Sequence, residues 1–222
     1  MKVSYIFLLT LSVLYAKENP LALQHIGIKW IDHNRTFMIE RKEDMRCFDI
    51  AVTPENILGQ GLSKLHEQCT HKVVKTVGII QPMRLDPKIE TVGEIEVLAF
   101  VKHMLEKPEK YILIDARKSQ WYRFSTIPGA INIPYDEIAY DSDFPEEHTR
   151  LLKLLHIKRG EKGIYTFDNA KKILVFCNGA WCAQSAKAIA QLVKIGYPKE
   201  KILWYRGGIQ DWLSLGFETI KP

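Results

Sequence analysis

The sequence contains no long run of basic residues, which speaks against a nucleic-acid partner. Its 222 residues carry a formal net charge of +5, and the charges alternate in sign in short clusters. Internal repeats and low-complexity segments are also missing. Because 46% of the residues are hydrophobic, the chain has enough apolar side chains to bury a core. The composition therefore predicts a globular protein.

The apolar run at the start of the chain, residues 3–15, is too short to span a bilayer, which takes about 20 residues. Lys2 precedes this run, and the small residue Ala16 follows it before the charged residues begin. This layout is typical of a secretory signal peptide, and an uncleaved anchor is the alternative. We therefore expect residues 1–16 to be removed. The mature chain is predicted to be periplasmic or secreted, with no membrane attachment after cleavage.

Cysteine is scarce, with only four residues in the chain, and all four follow the expected cleavage point. Cys47 and Cys69 lie in the N-terminal third, where an oxidising compartment makes a structural disulfide between them the expected arrangement. A metal site formed by Cys69 with His66 and His71 is the alternative. No second cluster at a familiar ligand spacing supports that metal site.

The N-terminal part of the mature chain has the alternating pattern of β-structure. Apolar and polar residues alternate on both sides of the sequence DHNR, which predicts a β-hairpin from about residue 26 to residue 40. A further β-rich run ends at Pro82, and a proline within mixed charges then marks a boundary. We expect residues 17–88 to form a small β-rich extension and residues 89–222 to form a second domain.

Strands and helices alternate in the second domain. Three short apolar segments, which begin at Tyr111, Lys172 and Lys201, are typical of strands buried on both faces of a parallel sheet. Apolar residues recur at helical intervals before, between and after these segments, which predicts helices there. The first helix is predicted to begin with Thr91 as N-cap and Glu94 as its capping-box partner. The pattern predicts an α/β fold with a mainly parallel central sheet flanked by helices.

Cys177 ends the second of these strands and precedes a helix. Ligands of open parallel sheets bind beyond the carboxyl ends of the strands. The loop amides and the helix N-terminus would favour a thiolate at Cys177 and would stabilise an anionic persulfide there. A buried, inert cysteine is the alternative. The residues expected to bind the substrate around this sulfur are Asn178, Gly179, Ala180, Trp181, Ala183, Gln184, Ser185 and Arg206.

Three separated motifs resemble those of the rhodanese, or sulfurtransferase, family. The first spans residues 113–134 and includes Asp115 and Arg117, the second is the strand ending in Cys177, and the third is the sequence RGGIQDW at residues 206–212. The likeness extends over about residues 91–217. It implies a rhodanese-like α/β fold and a catalytic cysteine that takes sulfane sulfur from a donor and passes it to a thiol acceptor.

The resemblance also assigns roles to residues. Cys177 matches the catalytic cysteine, Asp115 and Arg117 match positions that organise the fold around the loop, and no metal or organic cofactor is implied. The loop carries no basic residue, which many rhodaneses use to hold thiosulfate, so polysulfide or a protein persulfide is favoured as the donor. Ser125 and Thr126 replace a Gly-His pair that is common in the family.

Cys182 lies in the same loop and has two interpretations. Its sulfur could attack a persulfide on Cys177 and leave a disulfide, as a resolving cysteine does, or it could pack beneath the helix. Three functions follow. The first is a periplasmic sulfurtransferase, the second is a thiol-disulfide or redox protein using the Cys177/Cys182 pair, and the third is a non-catalytic rhodanese-like binding module.

Overall fold

The computed structural model describes residues 28–32, 35–39, 79–160 and 163–222. The predicted signal peptide, the predicted Cys47–Cys69 disulfide and the alternative metal site at Cys69 lie outside these residues. Most of the β-rich run that ends at Pro82 also lies outside them, and its described part, residues 79–82, forms no strand. The predicted division of the chain after residue 88 stays a prediction.

The described residues contain nine strands and five α-helices. In chain order the strands are β1 (Ile28–Asp32), β2 (Arg35–Ile39), β3 (Glu90–Val92), β4 (Tyr111–Asp115), β5 (Ile131–Asn132), β6 (Lys158–Arg159), β7 (Tyr165–Thr166), β8 (Lys172–Phe176) and β9 (Ile202–Tyr205). The helices are α1 (Glu94–Glu106), α2 (Ser119–Phe124), α3 (Pro145–Leu155), α4 (Gln184–Lys194) and α5 (Gly208–Ser214). A 3-10 turn at Lys199–Lys201 leads into β9.

The central sheet has five strands in the order β3, β9, β8, β4, β5. Every neighbouring pair in it is parallel, so the carboxyl ends of all five strands meet at one edge. Strand β8 lies between β9 and β4 at the centre of the sheet. The loop that follows β8 therefore starts from the middle of the carboxyl edge. The predicted α/β fold with a mainly parallel sheet is confirmed.

Both faces of the sheet are buried, which explains the continuous hydrophobicity of its strands. Along β8, Ile173 and Val175 belong to a core cluster that includes buried residues of α3 and α4. The alternate residues Leu174 and Phe176 belong to a second cluster with α1 and α5. All four side chains are fully buried. Because burial of one such side chain stabilises a fold by about 1.5–3 kcal/mol, β8 is firmly anchored below its loop.

The predicted N-terminal hairpin is confirmed as an antiparallel pair of β1 and β2. Ile39 of this hairpin is fully buried in the cluster that contains α1. Trp30 packs against Gly129, where an added Cβ would lie 2.3 Å from Cη2 of the indole ring. The hairpin therefore packs on one face of the central domain. Among the helices of the described residues, none has the length and apolar content to cross a membrane.

The predicted start of the first helix is wrong by two residues. Thr91 pairs with Trp204 in the parallel ladder of β3 and β9 and is therefore extended. The N-cap is Gly93, whose backbone N–H donates to Glu96 Oε2 at 2.9 Å. Glu94 instead accepts a hydrogen bond from the Tyr205 hydroxyl at 2.8 Å. Strand pairing with a distant segment took precedence over a local capping signal.

Candidate active site

The candidate site is the loop between β8 and α4, which begins with Cys177 and ends with Ala183, the N-cap of α4. Both cysteines of the loop, Cys177 and Cys182, are free and buried. A turn closed by the Cys182 N–H, which donates to Gly179 O at 2.9 Å, folds the loop back on itself. This turn brings the two cysteines together. Their spacing in the sequence allowed such a contact but did not require it.

The Cys177 sulfur lies beneath the loop and is only 1% exposed. It is 3.2 Å from the Cys182 carbonyl oxygen, to which the thiol donates, and 3.1 Å from Ser185 Oγ. Ser185 Oγ also accepts a hydrogen bond from Trp204 Nε1 at 2.9 Å. Burial, together with the neighbouring Cys182 sulfur, raises the pKa of the Cys177 thiol well above its ordinary value. At neutral pH, Cys177 is therefore a thiol.

The Cys182 sulfur has a different environment. The side-chain Nδ2 of Asn178 donates to it at 3.9 Å, and the Cys182 thiol itself donates to Oε1 of Gln184 at 3.8 Å. A hydrogen bond from Cys177 and the backbone N–H groups of Asn178 and Gln184 lower the pKa of the Cys182 thiol to about 6, although burial opposes this shift. Cys182 is therefore the more acidic thiol of the pair.

The amide cradle predicted around Cys177 is divided between the two sulfurs. The backbone N–H of Ser185 favours the Cys177 anion, whereas those of Asn178 and Gln184 favour the Cys182 anion. Helix α4 has no acidic residue in its first turn, so the positive end of its dipole adds to the same effect. These donors together favour an anion more at Cys182 than at Cys177.

The third motif supports the loop from below. The N–H groups of Ile209 and Gln210 donate to Cys177 O at 3.1 Å and to Asn178 O at 2.9 Å. Gly208, with φ of +60°, lies so close that an added Cβ would be 2.3 Å from Cys177 O. The double glycine is therefore needed for the backbone of α5 to approach the backbone of the loop.

The first motif holds the loop from the side through a buried ion pair. Asp115 and Arg117 are 0% and 2% exposed, and the Asp115 carboxylate accepts from Arg117 Nη2 at 2.6 Å and from Thr126 Oγ1 at 2.8 Å. Arg117 Nη2 also donates to Ser125 O at 2.5 Å, and Nη1 to Asn178 Oδ1 at 3.4 Å. Thr126 thus completes the hydrogen bonding of Asp115. These contacts support the structural role predicted for Asp115 and Arg117.

Arg206 lies beside a segment that crosses the loop, which the sequence did not reveal. In this crossing segment, residues 79–82, the Gln81 N–H donates to Ala180 O at 2.7 Å. Arg206 donates from Nη2 to Gln81 O at 2.9 Å and from Nε to Pro82 O at 3.1 Å. The guanidinium, predicted to bind an anionic substrate, is engaged in holding the crossing segment on the loop. A single arginine in a sequence carries no signal for such a contact.

The remaining predicted loop residues serve the loop itself. Trp181 Nε1 donates to Gln210 Oε1 at 2.5 Å, and Gly179 lies against both side chains. Trp204 and Gln210 were missed by the sequence reasoning, although Trp204 lies in the third predicted strand and Gln210 lies within the third motif. No group of three or more side chains that could hold a metal ion occurs in the part of the chain that the structure describes.

Comparison with known proteins identifies one family. A family model described as "Rhodanese-like domain" matches residues 98–215. An uncharacterized protein from Saccharomyces cerevisiae is 26% identical, with coverage of 58% of this chain and 93% of that one and a TM-score of 0.39. A rhodanese with anions from E. coli is 22% identical, with coverage of 50% and 99% and a TM-score of 0.33. A thiosulfate sulfurtransferase from Pseudomonas aeruginosa is 20% identical, with coverage of 60% and 20% and a TM-score of 0.39. No curated protein matches the chain.

Proposed function

The chain belongs to the rhodanese-like domain family, and on that premise we propose that it is a sulfurtransferase that carries sulfane sulfur as a persulfide in the loop after β8. The observation that carries this proposal is the pair of free cysteines in that loop, where the Cys177 thiol donates to the carbonyl oxygen of Cys182 at 3.2 Å. A thiolate in such a pair can attack a sulfane sulfur, and surrounding N–H groups stabilise the anionic persulfide that results.

The chemistry of the loop favours a donor that needs no cationic side chain. Residues 177–184 include no lysine or arginine, Arg117 is paired with Asp115, and Arg206 holds the crossing segment. Thiosulfate is a dianion whose capture gains most from a positive side chain. We therefore propose polysulfide or a protein persulfide as the donor and a thiol as the acceptor.

The family resemblance predicts that Cys177 bears the persulfide and that Cys182 resolves it. The acceptor reaction does not depend on which of the two cysteines bears the persulfide. An acceptor thiolate attacks the outer sulfur of the persulfide, the S–S bond breaks, and the protein cysteine leaves as a thiolate. The sulfane sulfur is transferred with no net oxidation of the protein.

The test is the mass of the reduced full-length protein after brief exposure to inorganic polysulfide and, separately, to thiosulfate. We expect one added sulfur with polysulfide, its removal by a low-molecular-weight thiol, and no loading of a Cys177→Ser/Cys182→Ser double variant. Cys47 and Cys69 remain in that variant and serve as the internal control. Absence of added sulfur from the wild-type protein with either donor would contradict the proposal.

Thiol-disulfide exchange is a second candidate, favoured by the contact between the two cysteines, in which the Cys177 thiol donates to the Cys182 carbonyl oxygen at 3.2 Å. In this alternative the pair would be oxidised to a disulfide by a substrate disulfide without taking up sulfur. Peptide mapping of the same samples separates the two, since residues 173–187 form one tryptic peptide that contains both cysteines. A disulfide within that peptide and no added sulfur would favour exchange, and two unmodified cysteines would favour a binding module.

We also propose that the protein works in the periplasm or outside the cell. The layout of residues 1–16 supports this location, because a short apolar run after a lysine is typical of a signal peptide. Fractionation of a Gram-negative host, with N-terminal sequencing of the recovered protein, tests it. A chain that starts at Lys17 in the periplasmic fraction is expected, and an unprocessed cytoplasmic chain would contradict it.

A further inference from the structure

We propose that the rim of the candidate site is a docking surface for an acidic protein whose cysteine accepts the sulfane sulfur. This inference rests on the proposed sulfurtransferase function and narrows its acceptor from any thiol to a cysteine that a protein presents. The docking surface consists of five exposed apolar side chains on the two segments that flank the loop after β8, namely Ile79, Ile80, Met83, Trp121 and Phe124.

The two segments lie on opposite sides of the loop. The crossing segment contacts the loop through the Gln81 N–H, which donates to Ala180 O, and it is held by Arg206, the residue after β9. Helix α2 follows β4, and Arg117, two residues before this helix, donates to Asn178 Oδ1 in the loop. Because β8 lies between β9 and β4, its loop emerges between the crossing segment and α2.

The apolar side chains of the docking surface contribute little to the core of this chain. Ile79, Ile80, Met83 and Phe124 are each at least 67% exposed, and Trp121 is 47% exposed. None of the six residues of α2 is buried, and Trp121 and Phe124, three residues apart, lie on one face of it. Scattered apolar side chains are normal on a protein surface, but a group of them at one place marks an interaction site. Their position beside the loop with the free cysteines favours an occupant that takes part in the reaction.

The enclosed sulfurs favour a partner that is held in place. Cys177 is 1% exposed and Cys182 is 6% exposed, so few collisions of a free thiol bring it into line with a persulfide in this loop. Contacts on both sides of the loop hold an acceptor cysteine above it and convert a rare encounter into a reaction within a complex. A lipid surface would also cover the apolar side chains, but it supplies no thiol and would block the loop. We therefore assign the surface to a protein.

The charges beside the apolar side chains indicate an acidic partner. Arg84 follows Met83, and Arg123 precedes Phe124 in the sequence. Both arginines are exposed, and neither takes part in an ion pair with another described residue. Each of the two apolar groups therefore has an arginine without an ion pair next to it. Acidic side chains on a partner would complement these charges and steer its approach.

The transfer step is balanced in such a complex. The thiolate of the docked cysteine attacks the outer sulfur of the loop persulfide, and a bond forms between these two sulfurs. The bond from the outer sulfur to the cysteine of this chain breaks, and that cysteine leaves with the electron pair as a thiolate. The acceptor thiol gives its proton to solvent. One persulfide is consumed and one is formed, so no external oxidant or reductant is needed.

The experiment measures sulfur transfer to synthetic thiols from the full-length protein, loaded with inorganic polysulfide and freed of excess donor. Two short peptides have a central cysteine between leucine and phenylalanine residues, and they carry either glutamates or lysines at both ends. The rate with each peptide is divided by the rate with 2-mercaptoethanol, which is too small to dock. We expect the ratio for the glutamate peptide to fall about tenfold in Ile80→Ser/Phe124→Ser. Arg84→Gln/Arg123→Gln should lower the ratio for the glutamate peptide and not for the lysine peptide.

A matched control removes two exposed apolar side chains near the amino ends of the strands. In Ile31→Ser/Leu105→Ser, Leu105 lies in the last turn of α1, which leads to the amino end of β4. Ile31 follows Trp30, which packs against Gly129 just before β5. We expect the ratio for the glutamate peptide to keep its wild-type value in this control.

An equal ratio in the wild type and in Ile80→Ser/Phe124→Ser, or an equal fall in the control, would overturn the docking surface and leave the sulfurtransferase proposal intact. An equal fall for both peptides in Arg84→Gln/Arg123→Gln would contradict an acidic partner. Flotation with vesicles of equal parts phosphatidylcholine and phosphatidylglycerol tests the lipid alternative. Vesicle binding that Ile80→Ser/Phe124→Ser abolishes, with no effect on the peptide ratio, would assign the surface to a membrane instead. A wild type that takes up no sulfur from polysulfide would overturn the proposed function and the docking proposal with it.

Discussion

The alkylation rate of Cys182 is predicted to titrate near pH 6, well below the range of an ordinary cysteine. Its pKa is lowered to about 6 by the Cys177 hydrogen bond and by the N–H groups of the loop. Because iodoacetamide reacts with the thiolate, a pKa near 6 gives about a tenfold rise in rate from pH 5 to pH 7 and almost none from pH 7 to pH 9. An unperturbed thiol, with a pKa of about 8.5, would rise by about 25-fold from pH 7 to pH 9.

The assay is a short iodoacetamide pulse on the reduced protein at each pH, followed by quantification of the alkylated 173–187 peptide. Fragment ions separate Cys182 from Cys177, which we expect to stay unmodified to pH 9 because burial raises its pKa. A free cysteine peptide in the same tube gives the reference profile. The variant Cys177→Ala tests why the pKa of Cys182 is low. It removes the largest contribution to that lowering, so we expect the midpoint of Cys182 alkylation to move to higher pH.

Three results of the alkylation assay would contradict this prediction. If the Cys182 rate still climbs about 25-fold between pH 7 and pH 9, its thiol is ordinary and the donors around it do not stabilise the anion. If Cys177 is alkylated first, with a midpoint below pH 7, the roles of the two environments have been assigned the wrong way round. An unchanged midpoint in Cys177→Ala would show that Cys177 does not lower the pKa of Cys182.

Three further predictions concern the support of the loop. Asp115→Asn should lower the free energy of unfolding by about 3–5 kcal/mol, because it leaves buried Arg117 without its counter-charge; a loss below about 1 kcal/mol in urea unfolding would contradict this. Gly208→Ala should cost at least about 1–3 kcal/mol and reduce sulfur loading, since it strains a left-handed position against the loop backbone. Gly207→Ala should be milder, because Gly207 has an ordinary helical φ of −61° and an added Cβ would meet the Asp211 side chain rather than backbone. Arg206→Ala should raise the rate of proteolysis within the crossing segment, and an unchanged rate would argue against its role there.

The sheet was predictable because its strands carry their own burial pattern. The segments beginning at Tyr111, Lys172 and Lys201 are apolar on consecutive residues, and only a strand covered on both faces requires that. The hairpin was predictable for the converse reason, since its alternation fits a half-covered ribbon. These features are local, so they can be read within five or so residues.

The details that failed depend on contacts between distant residues. The helix start was wrong because Thr91 pairs with Trp204, more than a hundred residues away. The role of Arg206 was missed because its acceptors, the carbonyls of Gln81 and Pro82, lie 125 and 124 residues before it. No local pattern encodes such pairs.

The sequence by itself determined the family, the order of the three motifs along the chain and the presence of two cysteines in one loop. Each of these depends only on residue types at close spacing. Tertiary structure alone decided which of the two thiols is the more acidic. The donors that distinguish Cys177 from Cys182 come from β9, α4 and the ion pair after β4, and folding must bring these elements to one edge of the sheet before either thiol acquires its character.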